Sequence, residues 1–95
     1  MIFVIQDKIY DTEKAENVLD YFVLQPVELP GTSLVFKNKV PAKLYKTKKG
    51  NWFTVKNKKE EYTATAISES EVKEIFKKLN EVELYNKHFS ELEEA

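Results

Sequence analysis

The sequence predicts an α+β fold: an antiparallel sheet of four to five strands, with a short N-terminal helix and one or two C-terminal helices packed on one face. Three observations carry that expectation. Residues 33–62 are rich in Val, Phe, Tyr and Thr, a glycine-bearing turn at Lys48-Lys49-Gly50 divides them, and the apolar period changes after Ser68 from two residues to one near 3.6. Twelve aromatic residues and 42% apolar side chains in 95 residues describe one globular domain spanning 1–95, because a disordered chain of this charge would lack such a core.

Residues 2–5 read as a short buried strand, Gln6-Asp7-Lys8 as a turn, and Ile9-Tyr10 as the returning arm. Asp11 or Thr12 has the side-chain oxygen to cap a helix through about Leu19, with Ala15, Val18 and Leu19 on one face. Residues 20–29 suit a strand that Pro26 confines to an edge or a bend, and Pro30-Gly31 signals a turn. Strands then cover 33–45 and 51–62, with a two- or a three-residue loop open between them. In the second, Phe53 and Val55 alternate with Trp52, Thr54 and Lys56, and the Phe53 side is the expected core face.

Ser68-Glu69-Ser70-Glu71 is a capping box, followed by Val72, Ile75, Phe76 and Leu79 at the spacing of a helix laid on a core. Glu69 to Lys73 and Glu74 to Lys78 are possible ion pairs on its outer side. Asn80 and Glu83 repeat the cap logic ahead of a second helix carrying Leu84, Tyr85, His88, Phe89 and Leu92.

Composition narrows function. The absence of cysteine removes disulfides, thiolate nucleophiles and cysteine zinc sites, and points to a cytoplasmic address. No stretch approaches the roughly 20 apolar residues of a membrane helix, and the first five apolar residues are too few for a signal peptide. His88 is the lone histidine, carboxylate pairs such as Glu60-Glu61 are adjacent rather than convergent, and two glycines cannot form a phosphate-cradling loop. The expectation is therefore no enzyme, no catalytic or metal-ligating residues and no cofactor.

All fifteen basic residues are lysine, as in genes of A+T-rich genomes, so bidentate arginine reading of guanine or phosphate is absent. Charge is segregated. Residues 1–28 hold six acids and two lysines, 29–59 hold nine lysines and no acid, and 60–95 hold ten acids and four lysines. The expected partner-binding residues are Lys43, Tyr45, Lys46, Lys48, Lys49, Trp52, Lys56, Lys58 and Lys59, around one loop. An outward Trp52 among lysines would suit single-stranded nucleic acid, and the same patch would dock on an acidic protein. Alternatively Trp52 lies under a helix and the lysines protect an exposed strand. The acids after residue 59 are either a solvated face or a mimic of phosphate spacing.

The phrases Ile9-Tyr10-Asp11-Thr12-Glu13-Lys14-Ala15-Glu16 and Leu44-Tyr45-Lys46-Thr47-Lys48-Lys49-Gly50-Asn51-Trp52-Phe53 cover much of the chain in order, with a helix opening at Ser68. The closing phrase, His88 to Ala95, belongs to the same pattern. Together they resemble small phage and mobile-element proteins of low-G+C bacteria, some of which look like anti-CRISPR proteins. That resemblance implies a stoichiometric inhibitor that binds a host defence protein or ribonucleoprotein complex. The alternative is a small nucleic-acid-binding accessory protein. The middle of this chain, 25–40, is longer than in those proteins.

Overall fold

The computed structural model describes residues 1–28, 31 and 35–95. The chain is α+β: a two-stranded hairpin, β1 (Ile2–Ile5) and β2 (Lys8–Asp11), then a four-stranded antiparallel sheet in sequence order, then two helices. The sheet strands are β3 (Glu16–Glu28), β4 (Val35–Lys46), β5 (Trp52–Lys58) and β6 (Glu61–Ile67). The helices are α1 (Glu69–Lys78) and α2 (Val82–His88). Among the described residues no helix is long and apolar enough to cross a membrane.

The expected N-terminal helix is replaced by a single turn. The Asp11 carboxylate accepts from the Glu13 amide at 3.0 Å and the Asp11 carbonyl from the Ala15 amide at 3.1 Å, which closes an isolated turn and not the cap of a helix. It is not propagated, because a helix of this length is marginal in water while extension from Glu16 pairs the chain along the whole of β4. A register shift between Asn17 and Leu19 lets the consecutive residues Val18 and Leu19 both pack on the helix side of the sheet. That bulge imitates helical spacing in the sequence. Ala15, the third member of the supposed helical face, packs on the opposite side.

The Lys48-Lys49-Gly50 loop has three residues. Thr47 and Asn51 close it, the Gly50 amide donates to the Thr47 carbonyl at 2.9 Å, and Gly50 sits at φ +88°, the left-handed position that a tightly bulged hairpin requires. The strand expected over 51–62 is instead two, divided by Lys59-Glu60 with φ of 49° and 68°. Such a two-residue turn usually advertises itself with Asn-Gly, and here it does not. The Pro30-Gly31 turn lies only partly within the described residues; Gly31 is a turn residue at φ +80°.

The capping box forms as the sequence requires: the Glu71 amide donates to the Ser68 hydroxyl at 3.2 Å, and the Glu71 carboxylate accepts from the Ser68 amide at 3.4 Å. Asn80 ends α1 rather than starting α2. It is left-handed at φ 55°, and the Glu81 amide reaches the Phe76 carbonyl at 2.8 Å, the paired-bond ending in which the last carbonyls of a helix are satisfied. Glu81, with no side-chain cap, precedes α2. On the outer side of α1 the ion pair present is Glu74 to Lys77, at 3.5 Å.

Both faces of the sheet are core, where one was expected. On one, Leu44 and Trp52 are covered by Val72 and Phe76 of α1 and Tyr85 of α2. On the other, Tyr45, Phe53 and Val55 are covered by Tyr10, with Phe3 and Ile5 beside it. Phe53 is at the centre, stacked on Tyr45 at 5.1 Å and met edge-on by Tyr10 at 5.1 Å. The result is three layers.

The covering hairpin is short. Four-residue strands reach only about 13 Å, whereas a thirteen-residue β3 runs about 40 Å, so the hairpin layer leaves much of that face bare. Pairing between β4 and β5 stops at Ala42↔Lys56, where Pro41 has no N–H to donate. Beyond it β3 and β4 continue together as a two-stranded arm.

Candidate functional site

The lysines expected to surround one turn are distributed over two ends and two faces of the sheet. Of the two arrangements the sequence allows, Trp52 takes the one under the helices: it is 3% exposed, edge-on to Phe76 at 6.3 Å and to His88 at 5.2 Å, and stacked with Phe89 at 6.0 Å. Tyr45 is buried on the opposite face under the hairpin. Neither ring can receive a base without unpacking the core. The sequence alternation was right about which residues share a side, but it cannot say that both sides are covered.

Lys46 shares the helix side with Trp52, its ammonium 5.2 Å from the ring centroid. It caps the indole by cation–π attraction instead of projecting freely. Lys56 is half-buried on the same side. Lys58 and Lys59 lie at the far end of β5, six residues and so about 20 Å along the strand from the Lys48-Lys49 end. Lys43 is exposed on the hairpin side, paired with Asp20 of β3 and Val55 of β5.

Lys48 and Lys49 do find company, from residues the sequence reading left out. The three-residue loop and the N-terminal hairpin enclose a cleft of ≈ 770 Å³ whose rims carry Lys8 and Lys14 on one side and Lys48 and Lys49 on the other. Asp7 and Asp11 are the acids of that cleft. The Asp11 carboxylate accepts from the Glu13 amide, and four lysines against two aspartates leave the cleft with an excess of positive charge. Backbone folding brings the four lysines to the lining of one cleft: Ile5↔Lys8 pairing fixes the hairpin turn, and Lys14 follows in the turn after Asp11. No spacing in the sequence could have revealed this, since Lys8 and Lys48 are forty residues apart.

Ile2 and Ile9 line the same cleft. With Val4 they form the outer face of the hairpin, since Ile2 pairs with Asp11 and Val4 with Ile9 while Phe3, Ile5 and Tyr10 turn inward. Ile2, Val4 and Ile9 are 66%, 74% and 72% exposed. Three neighbouring branched aliphatic residues left in water on a chain of this size are an unusual arrangement, and contiguous patches of this kind mark contact surfaces.

His88 packs against Trp52 and Phe76, and its Nε2 is buried without a hydrogen-bond partner. Burial lowers its pKa below the ordinary value, with the Lys46 charge adding to the effect and Glu16 opposing it. Among the described residues no group of three His, Asp or Glu side chains is placed to hold a metal. The acids of the C-terminal third are partly engaged in structure: Glu71 in the helix cap and Glu74 with Lys77. Comparison of the chain with family models, with curated proteins and with solved structures found no match.

Proposed function

We propose that this protein is a stoichiometric inhibitor carried by a phage or mobile element, which blocks a bacterial defence effector by binding an acidic, partly apolar protein surface on it. The observation that carries the reading is the exposed Ile2, Val4 and Ile9 face running into a cleft rimmed by Lys8, Lys14, Lys48 and Lys49. Apolar area supplies the affinity of such a contact, and the lysines select a partner of opposite charge and speed the encounter. The resemblance of the Ile9-to-Glu16 and Leu44-to-Phe53 phrases to mobile-element proteins supplies the class of target.

Titration of a purified CRISPR effector with the protein tests this. Inhibition should rise linearly to an end point near one equivalent, the two should co-elute on gel filtration, and Ile9→Asp together with Val4→Asp should abolish both. Inhibition that continues at sub-equivalent amounts, or no co-elution with any defence effector, overturns the proposal. Both side chains are exposed but stand opposite each other in the hairpin, so thermal melts of these variants, and of Val4→Ser with Ile9→Ser, which adds no facing carboxylates, verify that lost inhibition is not lost fold.

A further inference from the structure

The bare part of the sheet, beyond the reach of the hairpin layer, holds a second surface of different character. Phe22 of β3 is 62% exposed and Tyr62 of β6 is 50% exposed. The ladders put both on the hairpin side: Phe22 pairs with Pro41, two residues from Lys43, and Tyr62 pairs with Asn57, two residues from Val55, while Lys43 and Val55 pair with each other. Pro41 and Asn57 are the residues next beyond the last β4–β5 pair, Ala42↔Lys56. The two rings therefore stand on the outer strands of one sheet face, about three strand spacings or roughly 14 Å apart.

Along β4 the same face carries Lys37, Lys39 and Lys43, all exposed, with neighbouring same-side residues about 7 Å apart. Their cross-strand partners on β3 are Pro26, Leu24 and Asp20, so Asp20 is the one acid among these pairs. Its carboxylate accepts from the Asn17 amide group at 3.0 Å. The line joining the two rings crosses β4 at Pro41 and β5 at Asn57, with Lys43 on one side of it and Lys39 and Lys37 on the other. Two outward rings with ammonium groups flanking that line on the same face have the components of a stacking platform, in which rings hold bases by their faces and cations hold the backbone. An acidic protein surface could use the same lysines and rings, and it is the outcome that the oligonucleotide measurements separate.

We infer that this open sheet face binds single-stranded nucleic acid, with Phe22 and Tyr62 stacking on bases and Lys37, Lys39 and Lys43 contacting phosphates. Lysine in place of arginine makes the contact charge-driven and tolerant of sequence. The inference rests on residues separate from the Ile2, Val4 and Ile9 face, so it stands or falls independently of the inhibitor reading.

Fluorescence anisotropy with labelled twelve-nucleotide oligo(dT) and oligo(rU) tests it, and the two probes separate DNA from RNA as the source of the strand. With three phosphates neutralised, log K should fall with log salt at a slope of about −2. Phe22→Ala and Tyr62→Ala should each weaken binding roughly 5- to 100-fold. Lys37→Ala, Lys39→Ala and Lys43→Ala combined should flatten the salt slope, while Lys48→Ala with Lys49→Ala should leave affinity unchanged. Trp52 emission, from inside the core, reports that each variant is folded. No binding to either probe at low salt, binding indifferent to Phe22 and Tyr62, or binding lost with Lys48 and Lys49 overturns the inference. So does a result in which Phe22→Ala breaks co-elution with a defence effector while neither oligonucleotide binds, which would assign the face to a protein.

Discussion

Around Leu44, Tyr45, Trp52 and Phe53 the sheet is covered twice, by helices on one side and by the N-terminal hairpin on the other, whereas on the hairpin side Phe22, Leu24 and Pro26 are exposed, with no layer over them among the described residues. Both regions belong to one continuous β3–β4 ladder. The difference teaches that a small domain can concentrate its stability in one stretch of sheet and leave another as surface. Interchange of side chains between them should have very unequal effects.

The largest effect is expected at Phe53, which is fully buried between Tyr45 and Tyr10. Phe53→Ala should cost about 3 to 5 kcal/mol in a urea melt, enough to unfold much of the population of a domain this size. A loss below about 1 kcal/mol would mean that the hairpin layer contributes little to the core. Next comes Gly50→Ala. An added Cβ meets nothing within 4 Å, so the cost is that of a left-handed backbone alone, about 1 to 2 kcal/mol by the same melt.

A smaller effect, with a definite sign, is expected from pH. Burial, with the Lys46 charge adding to it, lowers the folded pKa of His88 below the unfolded value of about 6.5. As pH falls from 7 through about 6.5 the unfolded chain takes up the proton first, so stability should decline across that window and level off once pH is below the folded pKa. Melting temperatures at pH 7.5, 6.5 and 5.5 should show the decline, and His88→Asn should flatten it. The smallest effect belongs to the arm: Phe22→Ala should change stability by no more than about 0.5 kcal/mol. If it matched Phe53→Ala, the arm would be core and the comparison would fail.

Much of the fold was legible where the signal is local. Ser68 and Glu71 announce α1 because cap and partner lie three residues apart, and Gly50 announces its loop because only glycine adopts that backbone cheaply. Illegibility begins where two physical rules give one pattern. Val18 and Leu19 share a side through a bulge but mimic a helix, and Lys59-Glu60 turns without glycine, so one strand was expected where β5 and β6 stand. Trp52 alternates correctly with Phe53, yet alternation does not state how many layers a sheet has. The candidate site suffered most. Lys48 and Lys49 were visible as a charge run, but Lys8 and Lys14 join them through tertiary folding, and Lys58 and Lys59 leave them because an extended strand carries the chain away.

Pro41 has a mechanical consequence. Because its nitrogen bears no hydrogen, cross-linking of β4 to β5 ends beside it, and the four-strand sheet gives way to a ribbon of two. Ribbons coil more tightly than wide sheets and resist bending less. An arm that bends at residue 41 keeps all of its own rungs, and such a bend would move Lys37 and Lys39 relative to Tyr62 while Phe22, paired with Pro41 at the pivot, and the packed end of the molecule stay still.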